Sequence, residues 1–278
     1  MNEIALVKTK RPDLIEGIYR LRHTVWSHTR AGKPYVRLVL EDQHNAIPAY
    51  LWKTENLRLP AELSCVQIRG RMRFRRDGVV ADLKELRAGT RRLEDIVRLI
   101  PRSLCPLPWL VPFLEVFLGS VRNPALRQFC SEVLADDSIT FPFVACPASL
   151  GYHHNYPGGL LRHSVECAQM IDRYEEFTPE QKELGMVAAL FHDIGKILTM
   201  TPQMELTSLG RTLEHDKLTL EILAPYLRRL DSEWPQGSAQ LRYLLTWRPG
   251  RTDKGIPKTP LANAVLAADR VSAGVDAR

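Results

Sequence analysis

The chain has 278 residues, 45% of them hydrophobic and 25% charged, ordinary values for one large or two modest globular domains. Its net charge of +6 arises in one window: Arg58 to Arg92 holds ten basic and four acidic residues, and the remainder is neutral. The most apolar stretch, Leu99 to Gly119, contains Arg102, Glu115 and four prolines, which excludes a membrane-spanning helix of about 20 uninterrupted apolar residues. Five widely spaced cysteines (Cys65, Cys105, Cys130, Cys146, Cys167) form no C-x-x-C pair, so neither a disulfide framework nor a thiolate zinc site is expected. The N-terminus carries Glu3, Lys8, Lys10 and Arg11 without an apolar signal region, and a cytoplasmic location with no membrane partner is the expectation.

Residues 1–34 show a weak helical pattern (Leu14, Ile18, Leu21) and then a polar stretch from Ser27 to Lys33; they read as a helical or irregular extension. From Tyr35 the period becomes two. Val36, Leu38 and Leu40 alternate, Asp42 to Asn45 turns the chain and Ile47 to Trp52 returns as a hairpin. In Cys65 to Arg76, Val66, Ile68, Met72 and Phe74 share one face, while Gln67, Arg69, Arg71, Arg73 and Arg75 share the other. Asp77-Gly78 supplies a hairpin turn into Val79 to Leu83. Short strands with arginines and a few aromatics (Tyr50, Trp52, Phe74) suit an OB-type barrel over residues 35–88. Such a barrel tracks a single nucleic-acid strand through Arg69, Arg71, Arg73, Arg75 and Trp52; a β-module for protein contacts is the alternative. From about Arg92 the pattern is helical to the end, interrupted by prolines. The boundary is expected near Ala88-Gly89. The fold class is therefore α+β, a small barrel followed by a larger all-α domain over residues 89–278.

Three helical segments carry chemistry: HHNYPGGLLRH (His153 to His163), ALFHDIGK (Ala189 to Lys196) and AVLAADR (Ala264 to Arg270). Leu160, His163, Cys167 and Met170 recur at offsets of three and four, which turns His163 inward. His192-Asp193 closes the apolar run Met186 to Phe191, and Gly195 is placed to end that helix. Thr259-Pro260 opens the last helix, with Ala262, Val265, Leu266 and Asp269 on one stripe. A carboxylate on an apolar face needs a compensating cation. Two histidines and two aspartates converging from three helices suit a divalent metal. Singly, each has a plainer reading: an inward histidine is usually a hydrogen-bonded core residue, and Asp269 could pair with Arg162 or Arg270.

Ordered H…HD…D spacing with each member on a helix face or end resembles the HD-superfamily phosphohydrolases. HHNYPGGLLRHSVE, LFHDIGKI, NPALRQFCSEVL and the LVLEDQHNAIPAYLW hairpin together resemble the YhaM-type 3′→5′ exoribonucleases, an OB domain followed by an HD domain. The HHxxxGGLLxH and HDIGK features are also similar to the HD-like N-terminal domain of MobH-type conjugative relaxases. The resemblance implies a metal held by His163, His192, Asp193 and Asp269, with His153 and His154 lining the pocket and His215 available to a second metal. The expected ion is Mn²⁺, with Fe, Mg²⁺, Zn²⁺ or Ni²⁺ also admitted. Asp193 could orient the attacking water and Lys196 neutralise phosphate charge, with Arg162 and Arg248 as further pocket cations. One departure stands out: where many YhaM-type sequences carry a His-His pair, this chain has Trp247-Arg248.

Three readings follow. The first is a metal-dependent 3′→5′ exonuclease on single-stranded RNA or DNA. The second is an HD hydrolase of small nucleotides, and the third a non-catalytic nucleic-acid-binding accessory protein of a mobile element. A homo-oligomer is compatible with all three.

Overall fold

The computed structural model describes residues 13–42, 45–54, 58–60, 64–76, 78–89, 93–101, 103–248 and 259–275. It divides into two compact units, Met1–Arg102 and Ser103–Arg278.

The first unit is a closed barrel of β1 (Leu14–His28), β2 (Pro34–Glu41), β3 (Ala46–Leu51), β4 (Cys65–Arg75) and β5 (Gly78–Ala88), in the order β1-β2-β3-β5-β4. Every pairing is antiparallel except β3 with β5, a five-stranded OB-like topology. Period-two alternation sends Val36, Leu38 and Leu40 from β2 and Val66, Ile68 and Met72 from β4 into the core, each at most 4% exposed. The expected strands from Tyr35 onward are thus present.

Three expectations are corrected. Residues 14–28, read as part of a helical or irregular extension, form the longest strand of the barrel. Tyr19, Arg20 and Leu21 are all buried there, because the Arg20 side chain is covered from outside and its Nε donates to the Leu99 carbonyl. With both faces covered, the alternation that marks a half-buried strand is absent from the sequence. Residues 1–12 lie outside the described residues. Phe74, expected inside, is 67% exposed. The pairing of β1 with β4 reaches only Leu14 opposite Arg71, while the β4–β5 hairpin runs on to Arg75 opposite Gly78. Phe74 therefore sits on a hairpin end beyond the paired part of the barrel. The boundary also shifts: α1 (Leu93–Arg98) groups with the barrel, and its Ile96 and Val97 are buried.

The second unit is helical: α2 (Val111–Ser120), α3 (Pro124–Ala135), α4 (Asp137–Ala145), α5 (Gly159–Asp172), α6 (Pro179–Phe191), the short α7 (Lys196–Thr199), α8 (His215–Glu233), α9 (Pro235–Thr246) and α10 (Pro260–Val275). Among the described residues no helix is long and apolar enough to cross a membrane. Capping fixes the starts of the helices that matter. Thr178 and Gln181 form a reciprocal capping box on α6, and the Thr259 hydroxyl accepts from the Ala262 N–H at the head of α10. Helix α5 packs against both α6 and α10, and α6 also meets α10, so one face of each points to a common centre. All five cysteines are free.

Candidate metal centre and barrel surface

At that centre α5 supplies His163, the C-terminus of α6 supplies His192 followed by Asp193, and α10 supplies Asp269. His163 Nε2 lies 3.3 Å from His192 Nε2, 3.5 Å from Asp193 Oδ2 and 3.2 Å from Asp269 Oδ1. His192 Nε2 lies 3.5 Å and 3.6 Å from the same two carboxylate oxygens. Donors bound about 2.1 Å from one small cation stand roughly 3.0–3.6 Å apart, so the observed edges fit a single ion. His163, His192 and Asp193 are buried, and Asp269, with its side chain 30% exposed, forms the open side.

Hydrogen bonding leaves these donors pointing the right way. His192 Nδ1–H donates to the Ala189 carbonyl at 2.8 Å, which leaves the Nε2 lone pair for the centre. Burial would raise the Asp193 carboxyl, but His192, Lys196 and His215 outweigh it and hold it well below the ordinary range. Asp269 is likewise lowered against burial, through His163 and His192. Burial lowers His163, favouring the neutral imidazole that a metal requires. Two carboxylates and two imidazole nitrogens crowded on one point are a donor set that a divalent cation compensates. Cys167 Sγ approaches within 3.8 Å of His163 Nε2, making a second three-donor group with His163 and His192. Burial raises its thiol, so it presents S–H rather than thiolate.

Residues 160–274 match the family model for the HD domain. The helical unit carries an HD domain. Over 236 residues the chain is also 22% identical to the 3′-5′ exoribonuclease YhaM of Bacillus velezensis, covering 83% of this chain and 74% of that protein. The HD domain with its donor set and this distant relative together support a metal-dependent phosphohydrolase.

The other predicted residues of the HD domain take distinct places. Lys196 is buried with Nζ 2.6 Å from Asp193 Oδ2, so it neutralises that carboxylate in the ion-free chain. His215 Nε2 meets the opposite oxygen, Asp193 Oδ1, at 3.0 Å. Gly195 makes this meeting possible: a Cβ there would collide with the His215 carbonyl. Among the described residues His215 belongs to no group of three or more clustered donors. Arg248 donates to the Trp247 carbonyl and, behind Lys217 and His215, helps hold the Asp216 carboxyl down against burial.

The two histidines of HHNYPGG separate. The His153 ring stands 5.0 Å from that of His163, and its shielded Nε2 has no hydrogen-bond partner among the described residues. Burial, then His163 and Lys196, push it down to about 4, so it is neutral near pH 7. His154 does not open to the pocket. It is fully buried, with Nδ1 2.9 Å from the Tyr156 hydroxyl and Nε2 3.2 Å from both Ser272 Oγ and Glu166 Oε2. Arg162 is engaged by the same carboxylate, its Nε 2.8 Å from Glu166 Oε1.

Glu166 and Ser272 were not singled out from the sequence. Glu166 lies three residues after His163 and Ser272 three after Asp269, one turn along the ligand face in each case. Burial raises Glu166, but hydrogen bonds from His154, Arg162 and Ser272 prevail and bring it to about 2. Its folded pKa is below the unfolded value of about 4.3, so its contribution is present above the unfolded value and is lost as pH falls through the folded one. The metal-free chain should therefore lose stability between about pH 5 and pH 2, and Glu166→Gln should flatten that slope in denaturant titrations at successive pH values. An unchanged slope would show that Glu166 is not a source of the acid sensitivity.

On the barrel, Arg69, Arg71 and Arg73 are about half exposed on the outer face as expected, yet each has a carboxylate partner: Glu16, Asp13 and Asp82 respectively. Pairs this exposed contribute little and exchange readily. Arg75 is exposed on the same face. Trp52 stacks against Tyr35, with ring centroids 4.9 Å apart, and against Tyr50 at 5.6 Å, and its Nε1–H donates to Asp82. Tyr50 sits opposite Arg37 on β2 and Asp82 on β5, and Asp82 sits opposite Arg71 on β4. The outer face thus carries three stacked aromatic rings bordered by arginines. Tyr35 and Arg37, a period of two apart at the start of β2, were the legible but unused signal.

Proposed function

We propose that this chain is a metal-dependent phosphodiesterase that shortens single-stranded nucleic acid from its 3′ end, with RNA favoured over DNA. The observation that carries the reading is the convergence of His163, His192, Asp193 and Asp269 within one ion's coordination distance. The likeness to a protein described as a 3′-5′ exoribonuclease supports the substrate class and polarity, and the aromatic and arginine face of the barrel supports strand binding.

In this reading His163, His192, Asp193 and Asp269 hold one divalent ion, Mn²⁺ being the ion to load first. A bound divalent ion supplies Lewis-acid chemistry, activating water as nucleophile and polarising a phosphoryl oxygen. Asp193 and Asp269 provide the negative charge that retains it, and the two imidazoles provide borderline nitrogen donors. Lys196 keeps Asp193 ionised and oriented rather than reaching the phosphate itself. His153, neutral and with Nε2 unpartnered, is the side chain available to orient a phosphate oxygen or the attacking water. His215 is the candidate for a second ion.

The direct test is incubation of purified protein with 5′-labelled single-stranded RNA and DNA in Mn²⁺. A ladder of shortened labelled products supports the proposal. Release of label as mononucleotide from the outset reverses the polarity. Turnover of free nucleotides alone favours the small-nucleotide hydrolase, and strand binding without turnover favours the accessory protein. For the barrel, Trp52→Ala should weaken single-strand binding about tenfold, since one stacked base contributes roughly 1–3 kcal/mol. Fluorescence anisotropy with a labelled oligonucleotide measures this, and equal affinity would move the strand off this face.

A further inference from the structure

Behind His163, on the side away from the other three donors, runs a hydrogen-bonded chain that joins α5, α10 and the His153–Pro157 loop. His163 Nδ1 lies 3.0 Å from Ser272 Oγ, and Ser272 Oγ lies 2.8 Å from Glu166 Oε2. The same carboxylate oxygen meets His154 Nε2 at 3.2 Å, and His154 Nδ1 meets the Tyr156 hydroxyl at 2.9 Å. His154, His163 and Ser272 are all fully buried.

Donor and acceptor counting assigns the protons. Glu166, paired with Arg162, is an acceptor only. Ser272 therefore donates its single proton to Glu166 and can only accept from His163. That places a proton on His163 Nδ1 and directs the Nε2 lone pair at the donor cluster. The same rule makes His154 Nε2 a donor to Glu166 and its Nδ1 an acceptor from Tyr156. With both imidazoles neutral, this arrangement gives each of the four contacts named above one donor and one acceptor.

We propose that Ser272 and Glu166 are positioning residues that hold the His163 imidazole in its Nδ1–H form and aim Nε2 at the metal, with His154 and Tyr156 as the buttress behind them. The loop is shaped for this. His154 has a left-handed backbone, φ 46°, an uncommon conformation for a side-chain-bearing residue that costs on the order of 1 kcal/mol or more. That conformation places its ring in the core beside Glu166 rather than in the pocket with His153. The inference rests on the reading of His163 as a metal ligand, but the proton placement is a property of the chain itself.

The test uses the full chain with ¹⁵N-labelled histidine, metal-free and at about pH 8, above the ordinary imidazole pKa of about 6.5. The wild-type protein is expected to show His163 Nδ1 protonated, and Ser272→Ala and Glu166→Gln should shift the proton towards Nε2. Calorimetric titration with Mn²⁺ should show affinity falling about 10–100-fold in both variants, with circular dichroism unchanged. An unprotonated His163 Nδ1 in the wild type, or variants that keep both the tautomer and the Mn²⁺ affinity, overturns the proposal. If the tautomer is as expected but the wild-type chain takes up no Mn²⁺, the relay stands and the metal-site reading fails. Should Ser272→Ala fail to fold, the wild-type spectrum and Glu166→Gln still decide.

Discussion

Asp193→Asn is expected to abolish Mn²⁺ uptake and to lower turnover of single-stranded RNA by roughly three orders of magnitude, equivalent to about 4 kcal/mol of transition-state stabilisation. The substitution preserves shape and removes charge at a carboxylate with four partners. Asp193 Oδ2 faces His163, His192 and Lys196, and Oδ1 faces His215. An amide in this place supplies one neutral oxygen at most, and the donor cluster loses one of its two anions. Lys196, only 7% exposed, also loses its carboxylate, and breaking a buried pair on one side typically costs about 3–5 kcal/mol. The two effects separate in a Lys196→Met/Asp193→Asn double variant, which should recover stability in denaturant melts without recovering Mn²⁺ binding by calorimetry. Retention of tight Mn²⁺ binding by Asp193→Asn would place the metal elsewhere.

The convergence of the four donors was legible because two continue the apolar face of a helix and the other two directly follow an apolar helical run, Met186 to Phe191. His163 continues the face of Leu160 and Cys167, and Asp269 continues that of Ala262 and Val265. The residues behind them were not. Glu166 is one turn from His163 but, as a glutamate beside Arg162, it has the sequence appearance of a solvated helix pair. Ser272 is a small polar residue near a helix end. What makes them partners is the packing of α5 on α10, a contact across 106 positions of sequence that no local period encodes. The same limit explains the pair His153-His154, identical neighbours whose rings take different surroundings, with a left-handed backbone at His154.

The barrel shows the complementary case. Strands β2 and β4 were readable because one face is wet, so polar and apolar residues alternate. β1 was not, because Arg20 is buried on the side that should have been polar and bonds to the Leu99 carbonyl. Phe74 was misplaced for a simpler reason: its parity is inward, but the hairpin continues past Arg71, the last residue of β4 that β1 pairs.

The two glycines of HHNYPGG bear on whether the metal centre depends on the loop behind it, and a second substitution with a large expected effect tests this. Gly158 has φ 82°, so a side chain there is opposed by about 1 kcal/mol of backbone preference. Gly159 is constrained differently. A Cβ on it would run into the His154 carbonyl, which is backbone and is itself held by the Ala148 N–H at 3.1 Å. Neither side can yield without moving the loop, so Gly159→Ala should cost about 3 kcal/mol, the upper end for overpacking. For a unit of this size that lowers Tm by roughly 5–10 °C. Because the displaced carbonyl belongs to His154, the shift should also reach Glu166, Ser272 and His163, so Mn²⁺ affinity should fall together with stability. In Gly158→Ala the strain lies in the backbone at the head of α5 and in a tight approach to the Leu107 side chain, not at the His154 carbonyl, and affinity should fall less than for Gly159→Ala at matched loss of Tm. If Gly159→Ala melts like the wild type and binds Mn²⁺ equally well, the loop does not buttress the centre.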